Sequence, residues 1–153
     1  MAVKIIRCID EAGNVIHACL DSNDNATLLE GNIEDGFRDT AEAVSVKKLL
    51  APLEPKQILC IGLNYKFHAE ETGSSLPEYP VLFFKGVSAM QNPGDPIELP
   101  RYLRSKKVDY ECELAVVIGK ACKNVAAKDA LDYVFGYTCA NDVSARDWQK
   151  DFG

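Results

Sequence analysis

Short apolar runs with the length of β-strands recur along this chain, and glycine, proline or polar turns separate them. The clearest runs are 3–9, 15–20, 57–62, 81–85, 112–119 and 134–140. The segments 64–71 and 126–133 are compatible with short helices, and we also interpret the polar stretch 34–44 as a helix. Strand patterns outnumber helical ones, so the sequence predicts an α+β fold that is mostly β.

Length and charge narrow the class of protein. The chain has 153 residues, enough for a real core, and its net charge of -6 argues against a surface for nucleic acid or anionic membranes. No apolar stretch approaches the roughly 20 residues that span a membrane. Residues 1–10 lack the apolar core of a secretory signal. We therefore expect a cytoplasmic protein, with the mitochondrial matrix as the alternative.

The six cysteines are interpreted as buried, reduced thiols. They form no Cys-x-x-Cys pair and lie mostly inside apolar runs, which is typical neither of a disulfide framework nor of a zinc site. They are Cys8, Cys19, Cys60, Cys112, Cys122 and Cys139.

Two regions follow from the distribution of turns and prolines. Residues 1–55 begin with a hairpin pattern and end in a segment where Pro52 and Pro55 disfavour helix. We predict that 1–55 is a small N-terminal module and that 56–153 belongs to a second, strand-rich domain.

An acidic pattern marks the first candidate site. Glu111 and Glu113 open an apolar run, and since side chains alternate along a strand, both point to one side, opposite Cys112. Asp142 ends the next apolar run and can supply a third oxygen ligand. Three carboxylates without thiolate or imidazole suit Mg²⁺, Mn²⁺ or Ca²⁺ better than zinc. Alternatively, both glutamates face solvent on a half-exposed strand, and the spacing alone does not decide.

A second candidate site involves one of the two histidines. His17 lies in the predicted N-terminal hairpin and is interpreted as structural. His68 and Glu71 are three residues apart in a helix-compatible segment, so their side chains can meet. A carboxylate orients an imidazole and raises its pKa, which makes a usable acid–base pair. Taken alone, such a pair is more often a surface contact.

Three motifs occur in order along the chain. They are Asn-Tyr-x-x-His-x-x-Glu at 64–71, Glu-x-Glu at 111–113 and Asn-Asp-Val-Ser-Ala-Arg-Asp-Trp-Gln at 141–149. Together they closely resemble the motifs of the fumarylacetoacetate hydrolase superfamily. The sequence segments 82–85, 92–97 and 114–120 resemble that superfamily as well. The resemblance runs from about residue 57 to the end.

The resemblance implies a fold and a set of site residues. The fold would be the first part of the mixed β-sandwich roll of the fumarylacetoacetate hydrolase C-terminal domain. Glu111, Glu113 and Asp142 would hold Mg²⁺ or Mn²⁺, and His68 with Glu71 would form the catalytic dyad. The residues that would contact substrate are Arg146, Gln149 and, with less weight, Lys85.

The resemblance also implies an activity. It points to a metal-dependent hydrolase that cleaves a C–C bond in a small diketo acid of the acylpyruvate type, through a metal-bound enolate. The same chemistry suits a 2-oxo acid tautomerase or isomerase, or an oxaloacetate-type decarboxylase. Homodimers are common among relatives, so a homodimer is the expected assembly.

Family members usually continue well beyond Gly153, with a Gly-Lys-Ser/Thr segment whose lysine reaches the substrate. Their C-terminal part is therefore expected to be missing here. A truncated gene model or fragment is the favoured explanation. The alternatives are a chain that completes its fold by association and a shortened, catalytically inactive homologue.

Overall fold

An antiparallel sheet occupies the first third of the chain. The computed structural model describes residues 3–150. Its first sheet contains β1 (Lys4–Asp10), β2 (Val15–Leu20), β3 (Ala26–Asn32), β4 (Gly36–Val44) and β5 (Val46–Leu49), in the order β4-β3-β2-β1-β5. The predicted hairpin is confirmed, with Cys8 opposite Ile16. These strands lie within the predicted N-terminal module, whose boundary near residue 55 stays a prediction.

Small residues form the buried centre of this sheet. Cys8 and Ala18 are fully buried, Ala26 is nearly so, and partly buried aliphatic side chains pack against them. The aliphatic side chains are Ile6, Ile16, Leu20 and Val44. The core is therefore shallow, and much of the sheet remains accessible.

The helix predicted at 34–44 is wrong, because this segment forms strand β4. A tight turn after β3 returns the chain so that Gly31 lies opposite Phe37 and Asn32 opposite Gly36. Gly31 and Gly36 have φ values of +110° and +93°, which strongly favour glycine. Turn geometry and ladder pairing with β3 thus override the polar composition on which the helix prediction rested.

The second half of the chain consists of antiparallel strand pairs. β6 (Ile58–Gly62) pairs with β7 (Val81–Lys85), and the helix α1 (Lys66–Glu71) lies between them in sequence. β8 (Val108–Asp109) pairs with β11 (Ser144–Ala145), and β9 (Cys112–Ile118) pairs with β10 (Val134–Asn141). The helix α2 (Arg146–Lys150) follows β11 directly. Each long strand here was predicted from its apolar run.

The helix predicted at 126–133 is a 3₁₀ helix, Ala127–Tyr133, and a shorter 3₁₀ turn covers Val87–Ala89. Within residues 3–150, no helix combines the length and the apolar character needed to cross a membrane.

Aromatic contacts connect the N-terminal sheet with the β9–β10 hairpin. The rings of His17 and Phe37 lie 4.9 Å apart, and Phe37 meets Phe135 at 6.0 Å edge to face. Burial lowers the pKa of His17, and the charge of Arg7 lowers it further. A neutral imidazole suits the structural role expected for His17.

Apolar side chains cover one open face of each long hairpin. Along β9 exposed and half-buried residues alternate, and Leu114 is 60% exposed. The same alternation continues on β10, and exposed apolar residues also line β6 and β7. Besides Leu114, the exposed apolar residues of these strands are Leu59, Ile61, Val81, Leu82, Phe84, Val116, Ile118, Phe135 and Tyr137.

The expectation that the cysteines are buried is only partly correct. All six are free thiols, of which Cys8 is buried and Cys19 and Cys60 are intermediate. The expectation is wrong for Cys112, Cys122 and Cys139, which are exposed. Cys112 and Cys139 lie on the outward-facing side of the β9–β10 hairpin, which apolar patterning alone does not distinguish from the inward side.

Candidate active site

The register of β9 and β10 brings two of the predicted acidic residues together. Ala140 lies opposite Glu113 and Asn141 opposite Cys112, so the next step places Asp142 beside Glu111. The Asp142 amide donates to the Glu111 carbonyl at 2.9 Å, which extends the pairing past the strand ends. Strand pairing thus brings together carboxylates that are 31 positions apart in sequence.

Lys85 neutralises Asp142 from the end of β7. Its ammonium forms an ion pair with the Asp142 carboxylate, whose side chain is only 9% exposed. The same ammonium donates to the Val143 carbonyl at 2.8 Å and to Ser144 Oγ at 3.5 Å. These contacts link the β6–β7 hairpin to the segment that follows β10.

Arg146 plays the corresponding role for Glu111. Its Nη2 lies 3.0 Å from Glu111 Oε1, and Ser144 Oγ donates to that same oxygen at 3.3 Å. Nε of Arg146 donates to Asp109 Oδ2 at 2.9 Å, and Nη1 donates to Gln149 Oε1 at 3.1 Å. Each guanidinium nitrogen therefore has a defined partner, and the predicted substrate-contact residues Arg146 and Gln149 touch each other.

Glu113 faces the same acidic region. Burial raises its pKa above the ordinary value, and the charges of Asp142 and Glu111 raise it further, while Lys85 acts in the opposite direction. The thiol of Cys60 on β6 also has a raised pKa, caused by burial and then by Asp142 and Glu113. Three carboxylates, one thiol and one ammonium thus share one electrostatic environment.

The donor chemistry at this place suits a hard divalent cation. Asp142 Oδ1 is buried and has no hydrogen-bond partner, although the Lys85 ammonium lies beside it as an ion-pair cation. A buried carboxylate oxygen without a hydrogen bond is costly unless a cation compensates it. Within residues 3–150, no three His, Cys, Asp or Glu side chains are arranged closely enough to hold a metal ion. Lys85 and Arg146 instead contact the carboxylates of Asp142 and Glu111.

His68 and Glu71 lie on α1, a short helix that runs from Lys66 to Glu71. Both residues are exposed, and in the described chain no hydrogen bond or ion pair joins their side chains. The start of α1 is connected to the acidic strand, because the Leu114 amide donates to the Tyr65 hydroxyl at 2.9 Å. This bond ties the segment carrying the predicted dyad to the residue next to Glu113.

Sequence reasoning missed three residues that organise this region. Asp109 pairs with Arg146, Ser144 bridges Lys85 and Glu111, and Tyr65 connects α1 with β9. The alternation that singled out Glu111 and Glu113 also contains Asp109 when it is followed one step back. Ser144 and Tyr65 lie inside the quoted motifs, but their residue types alone do not indicate a role. Single hydroxyl side chains are also common on surfaces without any function.

The fold and these motifs define the class of protein. Residues 57–152 match the family described as "Fumarylacetoacetate (FAA) hydrolase C-terminal". The chain therefore belongs to the fumarylacetoacetate hydrolase family, as the three motifs predicted.

Individual relatives carry differing activities in their names. The mitochondrial oxaloacetate tautomerase fahd2 of Xenopus laevis is 51% identical over 66% of this chain. The caffeoylpyruvate hydrolase of Neonothopanus nambi is 46% identical over 69% of this chain. The crystal structure of the 2-hydroxyhepta-2,4-diene-1,7-dioate isomerase of Mycobacterium marinum is 32% identical, covers 99% of this chain and superimposes with a TM-score of 0.81. The predicted α+β, mostly β fold of the family is thereby confirmed.

The match covers only part of each relative. This chain corresponds to 31% of the tautomerase, 39% of the caffeoylpyruvate hydrolase and 58% of the isomerase chain. Across the curated relatives that it matches first, the covered share is about a third to about a half.

Proposed function

We propose that this chain provides the acidic site of a divalent-metal-dependent enzyme that acts on small 2-oxo acids and cleaves a C–C bond in an acylpyruvate-type diketo acid. One observation carries the proposal. The pairing of β9 with β10 gathers the carboxylates of Glu111, Glu113 and Asp142, and the buried Asp142 Oδ1 has no hydrogen bond and meets only the Lys85 ammonium among the described residues. Family membership supplies the reaction class, because relatives include a hydrolase of a 2-oxo acid.

Glu111, Glu113 and Asp142 are the residues that would hold Mg²⁺ or Mn²⁺, since hard oxygen donors suit these ions. Such an ion would supply Lewis-acid polarisation of the substrate's carboxylate and 2-oxo oxygens. Lys85 and Arg146 keep Asp142 and Glu111 close to each other by compensating their charges.

Arg146 and Gln149 would bind the substrate. The guanidinium is fixed, partly buried and in contact with the Gln149 amide, so the two can present donors to a carboxylate and a keto oxygen together. Binding by these two side chains would orient the distal carbonyl of the substrate toward α1.

His68, oriented by Glu71, would act as the general base. It would take a proton from water as the water oxygen attacks the distal carbonyl. The bond between the distal carbonyl carbon and the methylene carbon then breaks. The acyl part leaves as a carboxylate, and the methylene carbon of the pyruvate part receives a proton. This step requires α1 to stay near the acidic strand, which the Tyr65–Leu114 hydrogen bond favours.

Calorimetry with Mg²⁺ and Mn²⁺, with and without oxalate, tests the site. Oxalate mimics the carboxylate and 2-oxo oxygens, so it should strengthen ion binding to the full chain. The Glu111→Gln, Glu113→Gln double variant should bind neither. A Glu11→Gln, Glu42→Gln double variant, altered at two exposed positions of the N-terminal region, should behave as the parent. Absence of binding by a folded parent chain would contradict the proposal.

A second reaction is supported by the 51% identity to an oxaloacetate tautomerase. Here His68 and Glu71 would move a proton between carbon and oxygen instead of activating water, and the acidic site would be the same. Oxaloacetate and an acylpyruvate, each followed by NMR, separate the reactions. Exchange of the oxaloacetate methylene protons without cleavage indicates tautomerisation, loss of CO₂ indicates decarboxylation, and free pyruvate from the acylpyruvate indicates hydrolysis.

A catalytically inactive homologue is the outcome if the chain binds metal and oxalate but turns over neither substrate. We further propose a cytoplasmic homodimer, with the mitochondrial matrix as the alternative compartment, since one relative is named as mitochondrial. Cell fractionation and sedimentation equilibrium test these two statements.

A further inference from the structure

We propose that Asp109 is a positioning residue that holds the Arg146 guanidinium in place for a ligand carboxylate. The proposal rests on the function proposed above, because that function assigns Arg146 to substrate binding. It adds a residue that the acidic motif alone does not include.

The backbone around Asp109 is tied to the segment that carries Arg146. Ser144 lies opposite Asp109 and Ala145 opposite Val108 in the short β8–β11 pairing. The Arg146 amide donates to the Lys107 carbonyl at 2.8 Å, which continues the pairing by one step. Asp109 therefore faces the root of the Arg146 side chain because of backbone register, and not through a chance surface encounter.

The side-chain contact fixes one particular nitrogen. Asp109 Oδ2 accepts from Nε of Arg146 at 2.9 Å, whereas Glu111 Oε1 lies beside Nη2 at 3.0 Å. A bond at Nε holds the guanidinium plane near the side-chain stem, while Nη1 and Nη2 each carry a second hydrogen besides those that meet Gln149 and Glu111. Without it, Glu111 would be the remaining carboxylate in contact with the guanidinium, among the residues that the structure describes.

Burial makes this contact more than a solvated ion pair. The Arg146 side chain is 20% exposed, although that of Asp109 is 47% exposed. Two carboxylates contact the guanidinium, Asp109 at Nε and Glu111 at Nη2, and an arginine side chain is always protonated in proteins. The guanidinium therefore stays charged where a ligand carboxylate would meet it.

The sequence pattern agrees with this role. Asp109, Glu111 and Glu113 alternate with the exposed Tyr110 and Cys112, so three acidic side chains point to the less exposed side. Among residues 3–150, Glu113 forms no ion pair with Lys85 or Arg146, whereas Glu111 meets Arg146 through Nη2 and Asp109 meets it through Nε. Asp109 and Glu113, the two ends of this acidic series, therefore differ in role, because only Asp109 contacts the guanidinium.

Oxalate binding to the Mg²⁺-loaded full chain tests the proposal by calorimetry. Asp109→Asn should weaken oxalate binding by about tenfold, the effect of one hydrogen bond to a charged group. Its affinity for Mg²⁺ without oxalate should stay within about twofold of the parent. Asp109→Glu, which keeps the charge, should restore part of the loss. Asp24→Asn, which removes an exposed ion pair with Lys4, is the matched control and should change neither affinity.

A double-variant cycle separates positioning from a general structural effect. If Asp109 acts through Arg146, the Asp109→Asn change should cost nothing further in an Arg146→Met background. An equal, additive loss in both backgrounds overturns the proposal, and so does an equal loss of Mg²⁺ affinity without oxalate. If Asp109→Asn does not fold, as judged by circular dichroism, the Asp109→Glu variant and its cycle decide.

A readout that needs no ligand keeps this test apart from the proposed function. Exchange of the Arg146 Nε proton with water, followed by NMR, should become at least about tenfold faster in Asp109→Ala, because the proton loses its side-chain acceptor. Should the parent chain bind no oxalate, the function proposal fails, and this exchange rate alone decides about Asp109. An unchanged rate means that Asp109 does not hold the guanidinium.

Discussion

At the scale of single residues, the candidate site is a set of carboxylates whose charges are compensated by two cations from different elements. Lys85 ends β7 and meets Asp142, while Arg146 begins α2 and meets Glu111. From sequence, the three carboxylates were expected to hold a metal ion, and Lys85 and Arg146 were assigned to the substrate. Their ion pairs with Asp142 and Glu111 could not be predicted, since pairings across 57 and 35 positions depend on strand register.

Removing the Lys85 ammonium should destabilise the metal-free chain. Lys85→Met leaves the buried Asp142 carboxylate without its cation, and we expect the free energy of unfolding to fall by about 1–3 kcal/mol, below the cost in a fully buried pair because Lys85 is partly exposed. Urea unfolding in the presence of a chelator measures this change. Lys4→Met, which breaks the exposed pair with Asp24, should cost no more than about 1 kcal/mol. Equal costs for the two variants would contradict this account of the site.

Glu113 should make stability depend on pH in a defined direction. Burial, then Asp142 and Glu111, raise its pKa above 4.5, so the folded chain binds this proton more tightly than the unfolded chain. The stabilisation that protonated Glu113 gives to the folded chain is fully present below the pKa of the unfolded state. It is lost as pH rises through the higher pKa of the folded state.

The Glu113→Gln variant lacks this loss. The difference in free energy of unfolding, variant minus parent, should therefore grow from about pH 4.5 upward and level off above the folded pKa. Urea unfolding from about pH 3.5 to about pH 8 in chelator measures it. A difference that shrinks with rising pH would contradict the direction of the shift.

At the scale of elements, the turn between β3 and β4 requires glycine more strictly at one end than at the other. A Cβ added at Gly31 would lie 2.2 Å from the Gly36 carbonyl oxygen, whereas a Cβ added at Gly36 would meet nothing within 4 Å. Both positions have positive φ, so they share the backbone cost and differ in the clash.

Gly36→Ala should cost about 1–3 kcal/mol through backbone strain alone. Gly31→Ala should cost clearly more, because the turn must open to relieve the contact with backbone. Thermal unfolding of both variants, compared at the same pH, measures the difference. If the two substitutions cost the same, the close approach is not a constraint on this turn.

Elements with strong apolar runs could be predicted from sequence, and those shaped by turns could not. β6, β7, β9 and β10 follow their apolar runs closely, since short runs rich in β-branched and aromatic residues favour an extended strand. β4 was missed because Gly36–Val44 has no continuous apolar run and most of its residues are exposed, so its extended form comes from pairing with β3. The short β8 and β11 have only two residues each, too few for any pattern, yet they position Asp109 against Arg146.

At the scale of the whole molecule, the apolar faces of the two long hairpins are open to solvent. Leu114, Val116 and Phe84 are 60%, 49% and 66% exposed. Contiguous exposed apolar surface of this kind marks a place where further protein packs or where molecules associate. We therefore expect the chain to bind an apolar dye such as anilinonaphthalene sulfonate in its folded state.

The Leu114→Thr, Val116→Thr double variant should reduce that dye fluorescence by about half, because threonine keeps the strand while removing apolar area. Leu103→Thr, Leu131→Thr is the matched control, since both residues are exposed but lie outside the paired strands of the hairpins. A control that reduces the signal equally would mean that the dye does not recognise the hairpin face.

The contacts of the N-terminal sheet join residues that are close in sequence, whereas those of the acidic site join distant residues. This difference affects the order in which the two regions can fold during translation. β1 to β4 pair between neighbours in sequence, so this sheet is able to form once residue 49 has left the ribosome. In the acidic site, by contrast, Lys85 bonds to Val143, which is 58 residues later in the chain, and Asp109 bonds to Arg146, which is 37 residues later. Long loops close slowly, so the nascent chain carries unpaired site charges until residues 143 to 146 have emerged. The acidic site should therefore assemble after the N-terminal sheet has formed.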